Sequence, residues 1–111
     1  MLTWPQCTAP KEFALEKLKV LIPSTYIVVS EELHENGDPH LHAFMAFAEK
    51  FRTRNCRFFD LHGLGTDSLP KRWHSNIKTC PTRLRAIEYV KKDGNFIEYG
   101  TTPKDVEQEK I

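Results

Sequence analysis

The feature that most limits how this chain folds is a pair of strand-forming runs around one turn signal. Residues 26–33 (YIVVSEEL) are rich in β-branched and aromatic side chains, residues 39–47 (PHLHAFMAF) alternate with a period of two, and Asn36-Gly37-Asp38 lies between them. Period-two alternation gives a strand two distinguishable faces, and the Asn-Gly-Asp stretch supplies the positive-φ residues that a tight reversal needs. The runs predict an antiparallel hairpin. In its second strand Leu41, Ala43, Met45 and Phe47 share one face and His40, His42, Phe44 and Ala46 the other, so both imidazoles point the same way.

The remaining elements follow from breakers and periodicity. Leu2-Thr3-Trp4 is a short strand stopped by Pro5. Thr8 reads as an N-cap with Pro10 in the first turn, and Ala14, Leu18, Leu21 and Ile22 then give an amphipathic helix that ends at Pro23. Residues 57–61 read as a strand, residues 74–78 as a weaker one, with a glycine-rich loop around Gly63-Leu64-Gly65 between them. A second helix begins near Pro81 and runs to about residue 92, with Leu84, Ile87, Val90 and the stem of Lys91 inward and Gly94 as its C-terminal stop. Residues 96–99 form a last strand, and residues 104–111 a charged tail. The order β-α-β-β-β-β-α-β predicts an α+β fold, a central antiparallel sheet with helices packed on one face as a two-layer sandwich.

Composition narrows the class of function. With 111 residues the chain forms a single domain, 1–111, and its 40% apolar and 28% charged content is ordinary for a globular protein. No run approaches the roughly 20 apolar residues that span a bilayer, so the chain reads as soluble and intracellular. Cys7, Cys56 and Cys80 are odd in number and far apart, which suggests free thiols in a reducing compartment. A formal net charge of +1 argues against wrapping long stretches of duplex, because that binding neutralises many phosphates. Short single-stranded or enzymatic nucleic-acid contacts remain open, and Lys50, Arg52, Arg54 and Arg57, with Lys71, Arg72 and Trp73, are the two basic groups.

Two neutral imidazoles side by side suit a divalent cation, and such a site also wants a carboxylate. Glu32 on the preceding strand offers one, provided the connecting loop has an odd number of residues. A two-residue turn puts Glu32 across from Leu41, on the wrong face. A three-residue loop, 36–38 with Gly37 or its neighbour left-handed, puts it opposite His42. On the second helix, Tyr89 lies about 200° from Ile87 at 100° per residue and so faces away from the apolar stripe, with Lys92 on its own side. Over a bound cation, a phenol acts as a nucleophile toward phosphate and an ammonium stabilises the charge that develops.

The ordered set LTWPQC (2–7), ELHENGDPHLHAFMAF (32–47) and YVKKDG (89–94) resembles the three rolling-circle motifs of HUH endonucleases, in the replication-initiator (Rep) proteins of small circular single-stranded DNA viruses, geminivirus-like and genomovirus-like. The resemblance covers nearly the whole chain, which looks like the N-terminal nuclease domain of a longer Rep protein. It implies metal ligands at Glu32, His40 and His42 holding Mg²⁺ or Mn²⁺, with Asp93 at an acidic position near the metal. It also implies the nucleophile at Tyr89 and a supporting ammonium at Lys92. RFFDLHG (57–63) and WHSNI (73–77) look like the family's "Rep-specific" stretch, and the resemblance implies DNA contacts at Thr3, Trp4, Gln6, Arg57, Phe59, Lys71, Arg72, Trp73, His74 and Asn76. Trp4 stands where the family more often has tyrosine or phenylalanine, keeping an aromatic ring for base stacking. The implied function is nicking and joining of single-stranded DNA at an origin stem-loop through a 5′-phosphotyrosine, in the host nucleus, beside host replication machinery and with homo-oligomers of the full-length protein. No Walker A loop is present, so any ATP-driven helicase lies outside this chain.

The other aromatic and imidazole groups have plainer roles. Tyr26 and Tyr99 read as packing residues, and His34, His62 and His74 as loop or surface histidines, His74 touching DNA through the resemblance. Phe58 and Phe59 are expected on opposite strand faces, one in the core and one under nucleic acid. Two rival functions stand beside the nuclease: a noncatalytic single-stranded nucleic-acid module and a metal-dependent hydrolase without a covalent step. The first wants stacking aromatics on the sheet, and the second leaves Tyr89 and Lys92 without a role.

Overall fold

A computed structural model of the chain describes residues 1–33, 37–47, 57–64, 68–77 and 82–101. In chain order the elements are β1 (Leu2–Trp4), α1 (Lys11–Leu21), β2 (Tyr26–Leu33), β3 (Pro39–Ala46), β4 (Leu61–Leu64), β5 (Pro70–Trp73), β6 (Asn76–Ile77), α2 (Arg83–Lys91) and β7 (Phe96–Gly100). Five strands form the main sheet in the order β6-β1-β3-β2-β7, and β4 pairs with β5 in a separate two-stranded sheet. Every pairing among the described residues is antiparallel. The α+β class and the central antiparallel sheet are therefore as expected.

The helices are not together on one face, as expected from the element order, but divided between two. Leu2, Trp4, Ile27, Val29, Leu41 and Ala43 pack with Ala14, Leu15 and Leu18 of α1. Tyr26, Val28, Phe44 and Ala46, one residue out of phase, pack with Ala86, Ile87 and Val90 of α2. The cause is visible in YIVV, an uninterrupted apolar run rather than an alternating one, which is the pattern of a strand covered on both sides. The β4–β5 sheet and the turn before it add Leu61, Trp73 and Phe59 to the α1 side.

Several local expectations are revised. The 57–61 strand begins later: residues 57–59 form a turn, closed by Asp60 N–H donating to Arg57 O at 3.1 Å, and the strand is 61–64. Gly63 and Leu64 thus lie within a strand, where Gly63 gives room to the Trp73 and Phe13 rings; a Cβ there would stand 3.1 and 3.2 Å from them. Phe58 and Phe59 pack edge-to-face at 5.0 Å instead of pointing to opposite sides. Within the expected 74–78 strand only the short β6, Asn76–Ile77, is found, and β5, which ends at Trp73, is an additional strand before it. At α1 the N-cap is Pro10, not Thr8, and it has no side-chain cap of its own. Instead the Lys11 N–H donates to Glu31 Oε1 of β2 at 2.8 Å, a non-local carboxylate at the positive end of the helix. Leu21 is exposed and Leu15 takes the buried place, because the helix ends at Leu21 and the chain is already extended at Ile22, before Pro23.

α2 is capped as its sequence permits: the Thr82 hydroxyl accepts from Arg85 N–H at 3.1 Å, in the N-cap to N3 arrangement. Gly94, with φ of 79°, ends the following turn, and β7 closes on Gly100. Gly100 admits no side chain, since its φ is 85° and a Cβ would sit 2.1 Å from Thr25 O. Pro81, Gly65, Lys78 and the 104–111 tail lie outside the described residues.

A candidate metal and nucleophile site

The site grows out of the β2–β3 register. Leu33 pairs with Pro39, so residues 34–38 separate the two strands, longer than the three residues expected but still odd in number. Glu32 is consequently opposite His40 rather than His42, and Ser30 is opposite His42. Parity, not the particular partner, is what aims a strand residue at one face, so the carboxylate still joins both imidazoles. Gly37 has the left-handed backbone expected of the turn, at φ 87°.

Ligand atoms of Glu32, His40 and His42 lie within 4.8 Å of one another. Glu32 Oε2 is 3.0 Å from His42 Nε2 and 3.6 Å from His40 Nε2. Both imidazoles are buried, with ring centroids 4.6 Å apart and edge-to-face. One carboxylate oxygen and two imidazole nitrogens at these separations match the donor set of a divalent cation that keeps open positions for substrate oxygen. The residues therefore fit the implied Mg²⁺ or Mn²⁺. Asp93, the other acidic residue implied as near the metal, is exposed in the turn after α2 and is not among the donor atoms that gather.

α2 crosses this face and brings Tyr89 over it. Ile87 and Val90 are buried, which turns Tyr89 outward, 41% exposed, with its ring centroid 5.3 Å from that of His42 and nearly perpendicular to it. Lys92 completes the group. Its ammonium sits 3.1 Å from Glu32 Oε1 and 4.1 Å from the centroid of the Tyr89 ring. Burial pushes the Glu32 carboxyl up, but the hydrogen bond from Lys92 and the charges of His42, Lys92 and His40 outweigh it and hold it below the usual carboxylate range. Burial likewise pushes Lys92 down, and its hydrogen bonds to Glu32 and Tyr89 more than reverse this, so the amine stays protonated. The carboxylate is thus divided, one oxygen toward Lys92 and the other toward the histidines.

The implied DNA contacts separate into groups. Thr3 belongs to the site: paired with His42 across the sheet, its Oγ1 is 3.0 Å from His42 Nδ1. Asn76, paired with Thr3, extends the same row and is exposed. Arg57, Lys71 and Arg72 are exposed, Arg57 in the turn before Asp60 and the other two on β5. His74 is held by Asp60, Nδ1 to Oδ1 2.7 Å, with Arg72 Nε 3.6 Å from Oδ2 of the same carboxylate. Gln6 is exposed with a left-handed φ of 54°. Three aromatics are corrected. Trp4 is wholly buried and its indole N–H donates to Phe59 O at 2.9 Å, so it stacks on no base. Phe59 and Trp73 are core residues of the α1 side and are likewise covered.

The competing tyrosines are set apart by their surroundings. Tyr26 is buried and donates to Glu98, and burial together with that carboxylate raises its phenol far above the ordinary value. Tyr99, expected to pack, is instead 41% exposed beneath the Lys19 ammonium, 4.7 Å from its ring centroid. Cys7 is a free, buried thiol. His62 is exposed, as expected, while His34, Lys50, Arg52, Arg54, Cys56 and Cys80 lie outside the described residues. Sequence reasoning missed Glu31 and Asp60. Both are carboxylates whose partners are distant in the chain, and only the charged residue amid hydrophobic neighbours in RFFDL gave a signal for the second.

No helix among the described residues is long and apolar enough to cross a membrane. The histidine pair, the carboxylate joined to it by strand parity and the outward tyrosine share one face of the sheet. The family model of the geminivirus Rep catalytic domain matches residues 1–105, and the chain belongs to that family, whose domain initiates rolling-circle replication by nicking single-stranded DNA at the origin.

Proposed function

We propose that this chain nicks and rejoins single-stranded DNA at a viral origin stem-loop through a covalent tyrosine intermediate. The observation that supports the reading is the approach of the Tyr89 ring to His42, 5.3 Å between centroids, directly over the Glu32–His40–His42 cluster. Glu32, His40 and His42 would hold Mg²⁺ or Mn²⁺, which supplies Lewis acidity toward a phosphate oxygen. The Tyr89 phenolic oxygen forms a bond to the scissile phosphorus as the bond from phosphorus to the 3′ oxygen breaks. The phenolic proton passes to solvent and the departing 3′ oxygen takes one up. The products are a 5′-phosphotyrosine and a free 3′-hydroxyl. Because one ester replaces another, a 3′-hydroxyl reverses the step and joins strands without ATP.

Lys92 acts as a cation throughout. Its ammonium lies against both Glu32 and the Tyr89 ring, so it orients the carboxylate and offers positive charge toward the reacting phosphate rather than accepting a proton. In this reading residues 1–111 form the N-terminal domain of a longer Rep protein. It works in the host nucleus with host replication machinery and as a homo-oligomer at full length.

The test is a denaturing gel of the protein with a synthetic origin-loop oligonucleotide and Mn²⁺. An SDS-stable adduct is expected, absent in Tyr89→Phe and in EDTA. Metal-dependent cleavage that survives Tyr89→Phe would overturn the covalent step in favour of a hydrolase. Oligonucleotide binding without cleavage in any divalent metal would leave a noncatalytic module.

A further inference from the structure

The register of the main sheet sets Asn76, Thr3, His42, Ser30 and Phe96 in one row across five strands. Within that row the Thr3 hydroxyl meets His42 Nδ1 at 3.0 Å, while His42 Nε2 faces Glu32 Oε2 at 3.0 Å. The two ring nitrogens of one buried imidazole thus face two different groups. A neutral imidazole carries hydrogen on one nitrogen only, and a metal takes the other. For Nε2 to be a ligand, the hydrogen must stand on Nδ1 and must have an acceptor there.

We propose that Thr3 is a positioning residue that sets the tautomer of His42, so that Nε2 is presented to the cation; this rests on the metal-site reading above. A hydroxyl suits the task better than an amide or a carboxylate because it both donates and accepts by rotating one bond. Without metal, His42 Nε2 stands 3.0 Å from Glu32 Oε2, and the Thr3 hydroxyl meets Nδ1 at 3.0 Å. With a cation bound, Nε2 would be free of hydrogen to serve as a ligand, its hydrogen would stand on Nδ1, and Nδ1–H would donate to Thr3 Oγ1. The Nδ1 contact with Thr3 is kept in both states, so the ring need not turn. Outer partners of this kind fix ligand orientation and typically alter metal affinity by about 10- to 100-fold when removed. The short strand β1 acquires a chemical purpose in this way: it delivers a hydroxyl to the far side of a ligand held by β3.

The experiment compares wild type, Thr3→Val, Thr3→Ser and Glu32→Ala by Mn²⁺ binding, read by electron paramagnetic resonance, with thermal unfolding in EDTA as the check on folding. Valine matches threonine in shape and suits a strand, so Thr3→Val is expected to unfold near the wild-type temperature and to bind Mn²⁺ about 10-fold or more weakly. Thr3→Ser is expected within about threefold of wild type, the hydroxyl being retained. Glu32→Ala is expected to lose the ion. Wild-type affinity in Thr3→Val alongside loss in Glu32→Ala overturns the role of Thr3 and leaves the metal site standing. Wild-type affinity in Glu32→Ala overturns the metal site itself. Independently of any variant, nitrogen NMR of the His42 ring in the Mg²⁺-loaded wild type is expected to show hydrogen on Nδ1; hydrogen on Nε2 would refute the proposal.

Discussion

Trp4 illustrates how one side chain can be aromatic, next to a functional motif, and still have nothing to do with the substrate. Its indole fills the α1 side of the sheet and its N–H reaches across to Phe59 O, tying the main sheet to the turn that precedes the second, smaller one. Trp4→Phe keeps a ring but removes that donor from a buried carbonyl, so a loss of about 1–3 kcal/mol is expected in urea unfolding. Its preference among origin oligonucleotides is expected to match wild type in a competition nicking assay. Its neighbour Thr3 points to the opposite face, toward His42, and the alternation of the strand alone separates the two.

At the scale of elements, the carboxylate Glu31 deserves the weight that sequence gave to Thr8. It accepts from the first amide of α1, while its other oxygen accepts from Asn95 Nδ2 at 3.3 Å and its own N–H donates to Asn95 O at 3.0 Å. One residue of β2 therefore ties the start of α1 to the turn that follows Lys92. Glu31→Ala is expected to cost about 1 kcal/mol of stability, measured by thermal or urea unfolding. The elements were largely legible: YIVV, the NGD turn and the 3.6-residue spacing of Leu84, Ile87 and Val90 each declared a strand, a reversal and a helix. Boundaries that depend on distant partners were not. The register shifted by two residues because the turn chemistry of Asn36 to Asp38 does not specify loop length, only that a left-handed residue is present.

Over the whole molecule, the gathering of His40, His42, Glu32 and Tyr89 on one side was legible in the sequence because parity and helical angle are local rules. The interior was less so. Trp4, Phe59 and Trp73 are large aromatics interleaved with polar residues, and nothing local distinguishes a ring destined for the core from one offered to DNA. Cys7 belongs to that interior: burial pushes its thiol up to about 11 from 9.0, the opposing hydrogen bond from Ala9 being weaker. Folding thus favours the neutral thiol, a contribution complete below pH 9.0 and lost as pH rises through about 11. It amounts to about 2–3 kcal/mol. Urea stability profiles of wild type and Cys7→Ala are expected to converge across that alkaline window, and a constant gap would refute the assignment.

The division of the two helices between opposite faces gives this small domain a back and a front that can be altered separately. A laboratory selection for heat resistance can refill the space beneath α1 while the side that carries His40, His42 and Tyr89 keeps its shape, and a selection acting on that side can leave the α1 packing untouched.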